Sequence, residues 1–147
     1  MPARTVLDFM EVKEKGLGII FHSGSYDRVH HGLSIALAAL ALGREVKFFF
    51  TYWSLEHLKA NNTAVFKLDK EAHAHKAILE RNIEAGHLVK ITELFQQAKA
   101  MGAKFYICTN SMGILNIARD ELINVVDKTM GITTFLTETG DFQILFI

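Results

Sequence analysis

Short apolar runs alternate with amphipathic stretches along the first half of the chain. Residues 18–22 are an apolar run rich in branched and aromatic side chains, which predicts a buried β-strand. The Ser23-Gly24-Ser25 turn follows, and residues 26–42 show a helical pattern that ends at Gly43. Residues 45–52 are almost continuously apolar, which is typical of a strand buried on both faces of a parallel sheet. This order predicts a βαβ unit with a right-handed crossover.

The rest of the chain follows the same alternation less regularly. A short helical stripe precedes Gly16, and a second short helix is predicted over 54–60. Residues 64–91 are weakly amphipathic, so we expect a mobile insertion or lid there. A clear helix is predicted over 92–101, with Thr92 as its cap. The remaining predicted elements are a strand over 104–108, helices over 114–118 and 120–126, a strand over 133–136 and a fifth strand over 142–147.

Strands that alternate with helices predict a single α/β domain over residues 1–147. We expect a mostly parallel, five-stranded, doubly wound sheet flanked by helices. Ligand sites in such sheets lie beyond the carboxyl ends of the strands. This rule selects two loops, 23–25 and 109–112, as the first places to look for chemistry.

Composition excludes several classes of protein. The 147 residues suit one domain, and 16 basic residues balance 16 acidic ones, so nothing favours nucleic-acid binding. The one cysteine excludes an internal disulfide framework and suits a reducing compartment. The longest apolar stretch, residues 33–42, is too short for a membrane span, so we predict a cytoplasmic protein. Neighbouring histidines diverge on their helices, and neither a metal nor a cofactor is predicted.

Cys108 is the strongest candidate for chemistry. It lies at the predicted end of the third strand, just before a helix start, where unpaired N–H groups stabilise a thiolate. The alternative is that Cys108 is a small buried core residue, which is common for cysteine. If the first and third strands are neighbours, His22 approaches the Cys108 loop as a base or an electrostatic partner. Otherwise His22 only forms hydrogen bonds within its own loop.

Two further features at the same sheet edge have weaker signals. The backbone N–H groups of Ser23, Gly24 and Ser25 are candidates to bind an anion. The loop lacks a complete glycine-rich nucleotide motif, so a tight turn is the favoured interpretation. Trp53 follows the second strand and lines either a pocket or the core.

Four segments together resemble the DsrE/DsrF-like superfamily. They are residues 24–29 (GSYDRV), 42–53 (LGREVKFFFTYW), 91–112, which include KFYICTNSM, and 131–136 (GITTFL). The second of them is similar to the branch whose second strand ends in Phe-Thr-[Phe/Tyr]-Trp. The resemblance covers roughly residues 16 to 140.

The resemblance implies a parallel α/β fold that assembles as a homo-oligomer, often a trimer or hexamer. It also implies that a cysteine, which maps to Cys108, carries sulfur as a persulfide or thiosulfonate. Sulfur is then exchanged with a partner carrier of the TusA type. Two departures from the branch are Thr109-Asn110, which replaces a Gln-containing turn, and the His-bearing segment 70–87, which replaces a more basic one.

Three functional hypotheses follow. The first is a sulfur carrier, or sulfurtransferase-like protein, in which Cys108 is the nucleophile and His22 an accessory group. The second is a non-catalytic assembly module in which Cys108 only packs. The third is a small-molecule or nucleotide-binding protein that uses the loop 23–25. In the first hypothesis, the groups expected to stabilise the anionic adduct are the side chains of Thr109 and Asn110 and the backbone of Ser111, Met112 and Gly113.

Overall fold

All strands of the sheet run parallel, in the order β4-β3-β2-β1-β5. The computed structural model describes residues 14–61 and 66–147. Within these ranges the strands are β1 (Leu17–Phe21), β2 (Val46–Phe50), β3 (Lys104–Cys108), β4 (Lys128–Met130) and β5 (Gln143–Phe146). The sequence-based prediction of a five-stranded, largely parallel sheet is confirmed.

Helices connect the strands. The α-helices are α1 (Tyr26–Ala41), α2 (Lys70–His73), α3 (Lys76–Glu84), α4 (Ile91–Ala100), α5 (Thr109–Ile114) and α6 (Ile132–Glu138). Two 3₁₀ helices cover Tyr52–Leu58 and Arg119–Glu121. None of the helices in the described ranges is long and apolar enough to cross a membrane. The helical stripe predicted before Gly16 lies largely outside the described residues.

Strand order decides which helices cover which face. From β1 to β4 the chain steps in one direction across the sheet, and it then returns to place β5 beside β1. Because parallel crossovers are right-handed, the early helices lie on one face and α6 lies on the other. We call the sheet face under the early helices the first face, which carries Phe48 and Phe50, and the face under α6 the second face, which carries Phe49.

The first face contains the main core. Its fully buried aromatic side chains include Phe21, Phe48 and Phe50, and each contributes about 1.5–3 kcal/mol of stability by its burial. Helix α1 packs so close to β1 that a Cβ atom on Gly32 would lie 2.4 Å from Cε1 of Phe21. Glycine at position 32 therefore sets the spacing between helix and sheet.

The second face has a smaller core and a thinner cover. The Phe135 ring from α6 stacks on Phe49 with a centroid distance of 4.7 Å. Tyr106, Cys108 and Met130 complete this buried cluster. Several large apolar side chains of α6 and β5 remain exposed nearby, and we call this set the second-face patch: Ile132, Leu136, Ile144 and Phe146.

The fourth strand was misplaced by the sequence pattern. Residues 133–136 lie in α6, and the strand is instead β4, whose Met130 pairs with Cys108. The β-branched residues in this stretch favour a strand locally. Burial of Phe135 against Phe49 outweighs that preference, because tertiary packing stabilises more than intrinsic propensity does.

Three other predictions need correction. Helix α4 begins at Ile91 with Lys90 as its N-cap, so Thr92 is not the cap. Helix α5 covers Thr109–Ile114, in place of the predicted loop before residue 114 and the predicted helix over 114–118. Only Arg119–Glu121 is helical near the helix predicted over 120–126. In the stretch 64–91, residues 66–91 contain α2 and α3, and their mobility stays a prediction.

Candidate functional site

Cys108 occupies the carboxyl end of β3 and directly precedes α5. Its neighbours in the second-face cluster are Phe49, Tyr106, Met130 and Phe135, and the residue is 8% exposed. The position agrees with the sequence prediction, whereas the surroundings are mostly hydrocarbon. A reagent therefore reaches the sulfur atom only through a narrow opening or a local movement.

Some of the residues after Cys108 are exposed to solvent, and others are packed inside the protein. Thr109, Asn110 and Gly113 are exposed, and Met112 packs against the first-face core. Ser111 is fully buried, and its Oγ accepts the Tyr52 N–H at 2.9 Å. The predicted adduct-stabilising set is thus only partly open to a ligand.

The Ser111 hydroxyl holds an unusual backbone conformation. Tyr52 has φ +46°, which is rare for a residue other than glycine and stores strain. The hydrogen bond ties the first turn of α5 to the start of the 3₁₀ helix Tyr52–Leu58. Ser111 therefore positions the turn that carries Cys108.

The condition that would bring His22 to the Cys108 loop is not met. Strand β2 lies between β1 and β3, so His22 is two strand spacings, about 10 Å, from Cys108. Its ring stacks on Tyr52 at 4.7 Å and packs against Phe146 at 5.7 Å. His22 is part of an aromatic cluster rather than a direct partner of the thiol.

Trp53 belongs to the same aromatic edge. Its ring packs against Tyr52 at 5.6 Å, and the residue is 52% exposed. A Cβ atom on Gly24 would lie 2.8 Å from the Trp53 carbonyl oxygen. Trp53 thus lies against the 23–25 turn and outside the core.

Two of the three backbone N–H groups of the 23–25 turn, and the Ser25 hydroxyl, donate to groups of the protein itself. The Ser23 N–H donates to the Ile147 carbonyl at 3.2 Å, and the Ser25 N–H donates to Ser23 Oγ at 3.0 Å. The Ser25 hydroxyl donates to Asp27 Oδ1 and accepts the Asp69 N–H at 2.9 Å. These engaged groups weigh against the hypothesis of an anion or nucleotide site in this loop.

A concave site on the first-face side involves a histidine that sequence reasoning missed. His57 is almost fully buried, and its Nε2–H donates to the Gly24 carbonyl at 2.8 Å. Burial lowers the pKa of His57, so the ring is neutral near pH 7. The available signal was its position beside Leu55 and Leu58 in a short helix with a buried apolar face.

Tyr26 and His57 line a cavity of about 500 Å³. The Tyr26 hydroxyl accepts the Ile91 N–H at 3.2 Å, and burial raises the pKa of Tyr26. Tyr26 and Ile91 pack with the first-face core, whereas Cys108 belongs to the second-face cluster. The cavity and the cysteine are therefore two separate sites.

Acidic, histidine and cysteine side chains do not converge on a metal-binding arrangement in the part of the chain that the structure describes. The site consequently rests on one thiol, a set of aromatic rings and hydrogen-bonded turns. Its chemistry is that of a single nucleophile at a sheet edge.

The chain is similar in sequence to one known protein and similar in fold to several solved structures. The uncharacterized protein YrkE of Bacillus subtilis (strain 168) is 24% identical over 163 residues, covering 94% of this chain and 100% of the relative. The E. coli ychN crystal structure superposes with a TM-score of 0.64 at 11% identity, covering 91% of this chain and 100% of that one. The protein of unknown function MTH1491 from Methanobacterium thermoautotrophicum gives 0.59 at 12% identity, with coverage of 91% and 100%. These structural likenesses concern the fold alone.

The family comparison covers nearly all of the sequence. The profile of the DsrE/DsrF/DrsH-like family matches residues 13–73 and 67–147. The parallel sheet order and the Cys108 segment lie within those matches. The protein therefore belongs to the DsrE/DsrF/DrsH-like family.

Proposed function

We propose that the protein is a sulfur carrier that holds sulfur on Cys108 and passes it to the thiol of a partner protein. The observation that carries the proposal is the position of the chain's one cysteine at the carboxyl end of β3. Sites in parallel sheets concentrate at this edge. Membership of a family associated with sulfur relay supports the same role.

The loading step is a simple sulfur exchange. The Cys108 thiolate attacks the outer sulfur of a donor persulfide, R–S–SH. A new S–S bond forms on Cys108, the S–S bond of the donor breaks, and the donor leaves as R–S⁻. The step transfers one sulfur atom without a further oxidant, and the reverse exchange with an acceptor thiolate delivers it.

The neighbours of Cys108 restrict which donors react. With 8% exposure and apolar rings on several sides, the sulfur atom accepts a slim chain of sulfur atoms more easily than a bulky disulfide. The exposed Thr109 and Asn110 side chains are the polar groups nearest to it in sequence. Small donors such as polythionates and low-molecular-weight persulfides should therefore react fastest.

Intact-mass spectrometry tests the loading step. The native protein is incubated with tetrathionate, or separately with a small persulfide donor, and weighed after quenching. We expect one adduct per chain, and none on Cys108→Ser. Adduct formation only after unfolding in urea would instead assign Cys108 a packing role.

Assembly is the second candidate function, and the second-face patch favours it. The patch exposes Ile132, Leu136 and Phe146 beside a thin cover on this face, and Phe146 is 70% exposed. Exposed apolar patches of this kind mark interaction surfaces. We infer that copies of the chain associate through this patch into a homo-oligomer, with a trimer or hexamer as the expected size.

Sedimentation velocity tests the assembly proposal. Leu136→Lys and Phe146→Lys should shift the protein toward monomer, because a charge at the patch opposes burial. Leu42→Lys is the matched control, since Leu42 is 72% exposed at the end of α1, away from the patch. A monomeric wild type, or equal effects of all three variants, would contradict the assignment of this surface.

A further inference from the structure

The cavity on the first-face side has the features of a small-molecule site. It lies between the N-terminal ends of α1 and α4, the 3₁₀ helix Tyr52–Leu58 and α3. Its volume of about 500 Å³ is within the usual range for ligand pockets. Cys108 does not line this cavity.

The walls of the cavity are mainly apolar. Phe66, Ile83, Ile91 and Ile123 line it, and the Tyr26 ring packs against Phe66 with a centroid distance of 4.7 Å. Aromatic and branched side chains of this kind contact a ring or a branched hydrocarbon well. The body of a fitting ligand is therefore apolar.

The Tyr26 hydroxyl supplies a donor to this lining. It accepts the Ile91 N–H at 3.2 Å, and among the described residues it donates to no partner. Burial raises the pKa of Tyr26, so the hydroxyl keeps its proton at neutral pH. His57 is neutral and directs its Nε2–H to the Gly24 carbonyl instead. Tyr26 is thus the group that offers a proton to a ligand oxygen.

The rim of the cavity carries two ammonium groups that can pair with an anion. Lys59 and Lys90 line the cavity, and neither forms an ion pair with any residue in the described ranges. Of the two carboxylates at the rim, Glu80 is paired with Lys76 at 3.9 Å, which leaves Glu84 against two ammonium groups. An anionic ligand therefore has two ammonium groups to pair with, against the opposing charges of Glu84 and of Glu93, which helps to raise the pKa of Tyr26.

Chain connectivity places the backbone of Lys90 beside the residue that bonds the Tyr26 hydroxyl, and Lys90 itself lines the cavity. Lys90 directly precedes Ile91, whose N–H is bonded to the Tyr26 hydroxyl. A carboxylate accepts well from both a phenol O–H and an ammonium group. We propose that this cavity binds a small aromatic carboxylic acid, with its ring against the apolar wall and its carboxylate near Lys90 and Tyr26.

A titration followed by nitrogen-15 NMR tests the proposal. The probe is 3-phenylpropionate, and its neutral control is 3-phenylpropanamide, which has nearly the same shape. We expect the Ile91 and Thr92 amide signals to shift, with a Kd of about 1 mM for a ligand of this size. The amide should bind several-fold more weakly, because it has no charge to pair with the rim.

Two variants separate the contributions. Tyr26→Phe keeps the ring and removes the donor, so binding should weaken roughly three- to tenfold. Lys90→Gln should weaken binding about two- to fivefold, and it leaves the core untouched. Lys104→Gln, at the opposite end of β3 from this edge, should change nothing.

Three results would overturn the proposal. The first is the absence of localised shifts up to about 10 mM probe, a concentration at which even weak specific binding is seen. The second is equal binding of the carboxylate and its amide. The third is a set of shifts confined to α6 and β5, which would place the probe on the second-face patch.

Discussion

Removal of the Ser111 hydroxyl should destabilise the turn that carries Cys108. Ser111 is fully buried, and its Oγ accepts the Tyr52 N–H at 2.9 Å. In Ser111→Ala that N–H loses its partner, at a cost of about 1–3 kcal/mol. The left-handed conformation of Tyr52 also loses the contact that supports it.

Equilibrium unfolding in urea measures this effect. With a slope of about 2 kcal/mol per molar urea, a loss of about 2 kcal/mol lowers the midpoint by about 1 M. Thr137→Ala is the matched control, because it removes a hydroxyl whose bond to the Thr133 carbonyl is exposed. That variant should stay within about 0.5 kcal/mol of the wild type.

The Ser111 variant should also change the reactivity of Cys108. If the thiol reacts through a local opening of its turn, the rate of labelling by a disulfide reagent rises by the same factor as the equilibrium constant for that opening. About 1.4 kcal/mol corresponds to a tenfold faster rate. An unchanged urea midpoint together with an unchanged labelling rate would refute the positioning role of Ser111.

Three further predictions concern the frame around the sites. Gly32→Ala should lower the free energy of unfolding by about 1–3 kcal/mol in urea, because the new methyl group would overlap Phe21. Burial lowers the pKa of His57 below its ordinary value of 6.5, so its contribution to stability is complete above pH 6.5 and is lost as the pH falls through the folded-state pKa. In His57→Gln the melting temperature should therefore change less between pH 7 and about 5 than it does in the wild type. Asp127→Ala should cost about 1–3 kcal/mol in urea, because the carboxylate accepts the Phe105 N–H at 2.8 Å, and a smaller loss would mean that water replaces it.

The first half of the fold was predictable because local signals agree there. The apolar run at β1, the helix α1 and the glycine that ends it at Gly43, with φ +80°, all favour the same βαβ unit. The third strand was placed residue for residue, since the apolar run Phe105–Cys108 lies between the charged Lys104 and the polar Thr109. Local patterns of this kind report burial directly.

The second half depends on contacts that are distant in sequence. Residues 133–136 have strand-forming side chains, yet Phe135 is buried against Phe49 and the segment folds as a helix. Whether β1 and β3 adjoin is a property of strand order, which the sequence pattern does not contain. The separation of His22 from Cys108 follows from that order.

The sites were predictable to different degrees. Cys108 lies at the sheet edge that the site rule selects. The role of Ser111 was not predictable, because its hydroxyl bonds the N–H of Tyr52, which is 59 residues away in the sequence. The cavity beside His57 forms only where α1, α3 and α4 meet, so the pattern of no single segment predicts it.

Sulfur delivery from Cys108 is the most direct test of the account. The protein is loaded with a small persulfide donor, freed of excess donor and mixed with a reduced carrier protein of the TusA type, and both proteins are weighed over time. We predict that one sulfur atom leaves Cys108 and appears on the acceptor thiol, with no transfer from a Cys108→Ser sample treated in the same way. A wild-type protein that never gains the sulfur in its native state, or that keeps it in the presence of acceptor, would contradict the carrier role.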